Sequence, residues 1–237
     1  MEPRMDQRLA HGAVVDTSID AGLRSHMLSV YNYMGLALVL TGLTAFVTAS
    51  SPALLQVIFG TPLKWVVMLA PLGFIFFLGA KIRTMSVSAA QITFWSFAVV
   101  MGLSLASIFL VFTGASIARV FFITAATFGA MSLYGYTTKR DLSKYGSFLF
   151  MGLIGIVIAM LVNIFIGSTA LQFAISVIGV LVFTGLTAYD SQRIKEEYYS
   201  FNSAEIATKG AIMGALSLYL NFINLFMMLL QLFGNRN

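Results

Sequence analysis

Residues 210–233 read GAIMGALSLYLNFINLFMMLLQLF, an apolar stretch without a single charge. A helix rising about 1.5 Å per residue needs roughly 20 such residues to cross ~30 Å of hydrocarbon, so this stretch predicts a transmembrane helix. Within it Gly210, Gly214, Ser217, Asn221, Asn224, Met228 and Gln231 recur at spacings of four, three, four, three, four and three. That periodicity gathers small and polar groups on one side of the helix. Turned toward lipid, the stripe would leave two asparagines and a glutamine unpaired. It is therefore expected to face other helices or a wet cavity, which makes this helix central. Gly210, Gly214 and Ser217 are the candidate close-packing positions, with Leu218 standing for the opposite face.

Working outward, six further apolar segments fall at about 27–49, 64–82, 88–112, 117–138, 147–166 and 170–190. Of the 237 residues 59% are hydrophobic and 10% charged, against roughly 25% charged in an ordinary soluble domain. Lipid is thus the solvent for most of the chain, and the expected fold is an all-α integral membrane protein with seven transmembrane helices. Membrane barrels are disfavoured because the segments lack short alternating strands. Residues 1–26 hold three arginines, four acids and both histidines. They read as a polar tail ahead of a transmembrane domain at 27–237, with His11 and His26 solvated or at the membrane edge. Cysteine is absent, which excludes disulfides and thiolate-held metals.

Eleven of the fourteen basic residues fall in the tail and in the second, fourth and sixth loops, from Arg4 to Lys209; Lys64, Arg119 and Arg236 fall on the other side. Such asymmetry places the N-terminus in the cytoplasm and the C-terminus outside it. The basic residues form short clusters between spans rather than one stripe, which argues for topology signals and against nucleic acid as a partner. The sixth loop, 191–209, reads as a solvated cytoplasmic loop. Gly152, Gly155, Ala159 and Asn163 give the fifth span a small-residue face suited to close packing.

Ionisable groups at membrane depth are rare and functional by default. Among nine acids only Asp190 stands at such a position. Ser176, Gly179, Phe183 and Thr187 share its face of the sixth span, so Asp190 can point toward the stripe of the seventh. Asn221 and Asn224 are the amides that stripe would bring into the same polar cleft. No Ser-His-Asp set, HExxH motif or phosphate-binding glycine loop with lysine is present, and catalysis is not expected.

Three stretches, Leu133 to Ser143 (LYGYTTKRDLS), Gly185 to Lys195 (GLTAYDSQRIK) and Ser217 to Phe226 (SLYLNFINLF), carry a resemblance to a known family, with Val30 to Leu36 (VYNYMGL) in support. By these motifs the chain resembles the bacterial branch of the Bax inhibitor-1 (transmembrane Bax-inhibitor-motif) family. The resemblance implies seven helices with the last wrapped by the other six, and a pH-sensitive calcium leak in which two aspartates share a proton under a basic latch. Asp190 matches the first aspartate; the second falls on Asn221. Arg83 is the candidate latch, and Arg193 competes for the same carboxylate. Two close carboxylates repel and share a proton, whereas an Asp beside an Asn lacks that repulsion. Asp190 with neutral oxygens would make a weak calcium ligand. The expected function is a calcium-leak channel with no cofactor, in contact with the bilayer, calcium ions and other membrane proteins. The alternatives are a regulatory membrane protein without ion flux, or a cation- or proton-coupled transporter.

Overall fold

A computed structural model describes residues 3–237, with side chains from residue 21 onward. Met1, Glu2 and the side chains of Arg4, Arg8 and His11 lie outside the described residues. The described residues form α1 (Pro3–Ala49), α2 (Pro52–Phe59), α3 (Leu63–Lys81), α4 (Val87–Leu105), α5 (Ile108–Val111), α6 (Gly114–Thr137), α7 (Ser143–Ile166), α8 (Thr169–Tyr198) and α9 (Ala204–Phe233). Seven of the resulting helical segments are long and apolar enough to cross a membrane, the third running through α4 and α5.

Local chemistry sets the boundaries. Ser86, Thr113, Ser168 and Ser203 each cap a helix by accepting a backbone N–H three residues on. Gly167 ends α7 in the left-handed region at φ +66, which only glycine enters without strain. Asn163 Oδ1 then accepts the Ser168 N–H at 3.0 Å and locks the tight turn into α8. Between α6 and α7 the Ser143 hydroxyl and amide both donate to Asp141 and hold its carboxyl below the usual carboxylate range.

The α9 helix is the most buried: 72% of its apolar window is enclosed, against 6% for α7. It packs principally against α1, α4, α6 and α8. Four of the six other spans therefore make its main wall, and α3 and α7 sit outside α4 and α8. Tyr219 is fully buried at the α1–α4–α9 junction, where its Oη lies 2.7 Å from Thr41 Oγ1 and Thr41 donates to the Ala98 carbonyl at 2.9 Å.

The structure corrects four expectations. Residues 191–209 are not a loop: α8 continues to Tyr198 and α9 begins at Ala204, because ion pairs one turn apart, Arg193–Glu197 and Lys209–Glu205, support helix beyond the apolar stretch. His26 is buried rather than solvated, its ring 5.2 Å from that of Tyr198 and 5.4 Å from that of Phe201. Leu218 is 0% exposed, so the face opposite the stripe is core and not lipid surface. Gly155 has open space around it, whereas Gly152 meets Val182 of α8.

Of the close-packing positions, Gly214 receives Ile194 of α8, whose side chain would lie 3.1 Å from an added Cβ. Gly210 receives the Phe201 ring, and Ser217 accepts from Arg193. The tightest approach joins α6 and α8, where a Cβ on Gly135 would run into the Ala188 carbonyl. Backbone cannot swing aside as a side chain can. Gly135→Ala is expected to destabilise the protein by about 1–3 kcal/mol, while Gly155→Ala changes thermal stability in detergent little. Equal melting temperatures for the two variants would refute the close α6–α8 approach.

Candidate functional site: a polar cleft between α7, α8 and α9

The α8 and α9 helices pack against each other more extensively than any other pair. Gly179 accommodates Met228 at one end of the contact and Gly214 accommodates Ile194 at the other. Between these close approaches Asp190 meets α9. Asn221 Nδ2 donates to Asp190 Oδ2 at 2.7 Å, and Arg193 Nη2 lies 3.0 Å from Oδ1. The same guanidinium donates to Ser217 Oγ at 3.2 Å, while its Nε lies 3.5 Å from Glu197 Oε1 without forming a hydrogen bond. Asp190 and Asn221 are 7% and 6% exposed, so neither relies on bulk water.

This cluster borders a cavity of about 470 Å³ that also touches Gly146, Ser147 and Phe150 of α7. Asn224 lines the cavity one turn beyond Asn221, but its Nδ2 donates to the Leu220 carbonyl of its own helix at 2.8 Å. The structure thus joins Asp190, Asn221, Arg193 and Ser217, with Asn224 beside them. It does not join Arg83, which borders a separate cavity with Phe201, Asn202 and Lys209 and has no ion pair among the described residues. The cation paired with Asp190 is Arg193, because a residue three positions along the same helix reaches the carboxylate directly. No group of three or more His, Asp or Glu side chains that could hold a metal occurs among the described residues. A cation at Asp190 would depend on neutral oxygens.

Several residues around the cluster went unread in the sequence. Gln192 accepts the Leu142 N–H at 2.7 Å and donates to the Arg140 carbonyl at 2.8 Å, clamping the α6–α7 connection to α8. Lys195 Nζ donates to the Tyr136 carbonyl at 2.9 Å near the end of α6, where a cation also suits the helix dipole. Ser191 bonds Ser132 at 2.8 Å, and Ser132 bonds Tyr31 at 2.7 Å. The signal was Asp190-Ser191-Gln192-Arg193 itself: four consecutive polar residues point around the whole helix, so each needs a partner on a different neighbour.

The sequence matches the family model described as "Inhibitor of apoptosis-promoting Bax1" over residues 23–237. The chain belongs to the Bax inhibitor-1 family. Similar proteins include one from Rickettsia prowazekii, 50% identical over 219 residues (92% of this chain, 93% of the relative). One from Caulobacter vibrioides is 47% identical over 232 residues (92% of each chain). Inner membrane protein YbhL of Escherichia coli K12 is 47% identical over 219 residues (91% of this chain, 94% of the relative). With seven apolar spans, this Bax inhibitor-1 family member is a multi-pass membrane protein in contact with lipid.

Losing a bond to a buried carboxylate costs more than losing a neutral one. Asn221→Ala is expected to lower unfolding free energy in detergent by about 1.5–3 kcal/mol. Arg83→Ala should stay within roughly 0.5 kcal/mol. A cost at Arg83 equal to that at Asn221 would contradict its placement away from Asp190.

Proposed function

We propose that this Bax inhibitor-1 family protein is a calcium-leak channel of the bacterial inner membrane, pH-modulated through Asp190. The observation that carries the reading is a buried carboxylate, 7% exposed, paired with a half-buried guanidinium beside a cavity that Ser217, Asn221 and Asn224 also line. With Asn221 and Arg193 each engaging one of its oxygens, Asp190 offers a cation little charge, and this arrangement corresponds to the closed path. Arg193 has a second carboxylate, Glu197, one turn farther along. A swing toward Glu197 frees Asp190 Oδ1, and Ser217 Oγ and the Asn221 carbonyl add neutral oxygens. Calcium takes six to eight oxygen ligands, so water in the cavity must supply the rest. One carboxylate gives weak affinity, which suits leak rather than storage. Protonating Asp190 cancels its pull on both Arg193 and the ion, and thereby couples flux to pH.

Purified protein in liposomes is expected to pass calcium with a pH dependence that Asp190→Asn removes. Asn221→Asp, which sets a second carboxylate against the first, should steepen that dependence. Absence of Asp190-dependent flux would defeat the channel reading. It would favour the regulatory alternative, in which the fully bonded carboxylate only ties α8 to α9.

Positive-charge asymmetry supports a cytoplasmic N-terminus and an extracytoplasmic C-terminus. YbhL, by its name an inner membrane protein, supports the choice of membrane. A reporter active only outside the cytoplasm should work when fused after Asn237 and be silent when inserted near Asn202. The reverse pair of readouts would invert the orientation.

A further inference from the structure

The groove between α7, α8 and α9 holds a second cavity, of about 510 Å³, beyond Asn224 and away from Asp190. Amide side chains of Asn163, Gln172, Asn224 and Gln231 border it, together with Ser176 and no acid. Met160, Ile164, Ile175, Met227 and Met228 complete the wall, so the amides form a polar strip in a mixed lining; the volume holds several waters at about 30 Å³ each, and an amide oxygen left dry there would be costly. At its far end Gln172 Nε2 donates to Gln231 Oε1 at 2.9 Å, and Arg236 reaches the same oxygen at 3.4 Å.

Asn224 borders both cavities. Only its amide nitrogen can donate to the Leu220 carbonyl, so its Oδ1 is the group left for the cavities. From Ser217 through Asn221 and Asn224 to Gln231 the helix advances fourteen positions along α9, or about 21 Å of the ~30 Å hydrocarbon core. The polar side of the central helix thus continues well past the carboxylate.

We infer that the second cavity is a water-filled vestibule of the cation path, with Asn224 as the partition from the Asp190 chamber and the Gln172–Gln231 amide bridge as its far closure. The inference rests on the channel reading above. Charge selection belongs to the Asp190 chamber; the vestibule offers only neutral oxygens to a hydrated cation.

The chain contains no cysteine, so single thiols can be introduced without background. A thiol reacts with a charged, membrane-impermeant methanethiosulfonate only where water lets it ionise. Asn224→Cys and Gln231→Cys in liposomes are expected to react on the order of tenfold faster than Leu181→Cys, a position 69% exposed on the outside of the bundle. Rates no faster than Leu181→Cys at both positions overturn the vestibule. Gln172→Ala should speed labelling of Asn224→Cys; an unchanged rate overturns the amide closure. Asn224→Leu should reduce calcium flux while Gln231→Cys still reacts, and the smaller Asn224→Ser should raise flux. Unchanged flux in both overturns the partition. Reaction at both thiols without any calcium flux leaves the wet vestibule standing and overturns the channel reading, so the two failures are distinguishable. Thermal melting of each variant confirms folding.

Discussion

Hydrocarbon offers no hydrogen-bond partner, so a carboxylate inside a membrane bundle must find all its partners in the protein or in trapped water. Asp190 meets that constraint with one partner on each of two helices, Asn221 on α9 and Arg193 on α8. The arrangement requires α8 and α9 to run close together. Gly179 and Gly214 supply the closeness on either side of the acid, each by receiving one side chain of the partner helix. The polar cluster and the small-residue contacts are parts of one interface.

The α8 helix also ties the bundle's periphery to its centre. Its run from Asp190 to Lys195 sends Asp190 toward α9, Ser191 to α6, Gln192 to the α6–α7 connection, Ile194 onto Gly214, and Lys195 to the end of α6. These contacts explain physically why LYGYTTKRDLS and GLTAYDSQRIK occur together in one chain: the second motif holds the backbone of the first. Gly135 and Ala188 complete the link by direct backbone approach, which no larger residue at 135 would allow.

Although α9 is the most buried span, it is not sealed. Met213, Ser217, Leu220, Asn224, Met227 and Gln231 remain half-buried at alternating spacings of four and three, so one line of the helix borders cavities as well as packed side chains. The outer placement of α7 accounts for the opening, since α7 leans on α8 and leaves space between itself and α9. Ser217, Asn224 and Gln231 alternate with Met213, Leu220 and Met227 along that line, so polar groups and incomplete packing coincide there.

By itself the sequence determined the seven spans and the all-helical class, and it marked Asp190 and Asn221 as polar groups in need of partners. These follow from segment length, helical period and the cost of unpaired polar groups in lipid, all of which act locally and can be counted along the chain. Where period alone was used, the reading reached its limit. It identified the polar stripe but could not show that Leu218 behind it is core, because a helix enclosed on several sides buries its apolar faces too. Charge pattern marked 191–209 as leaving the membrane, yet could not show that helix persists there on ion pairs. The separation of Arg83 from Asp190, the burial of His26 and the clamp by Gln192 were decided only by the tertiary structure. Each depends on distances between segments far apart in the chain, and those distances are set by how side chains fill the space between helices.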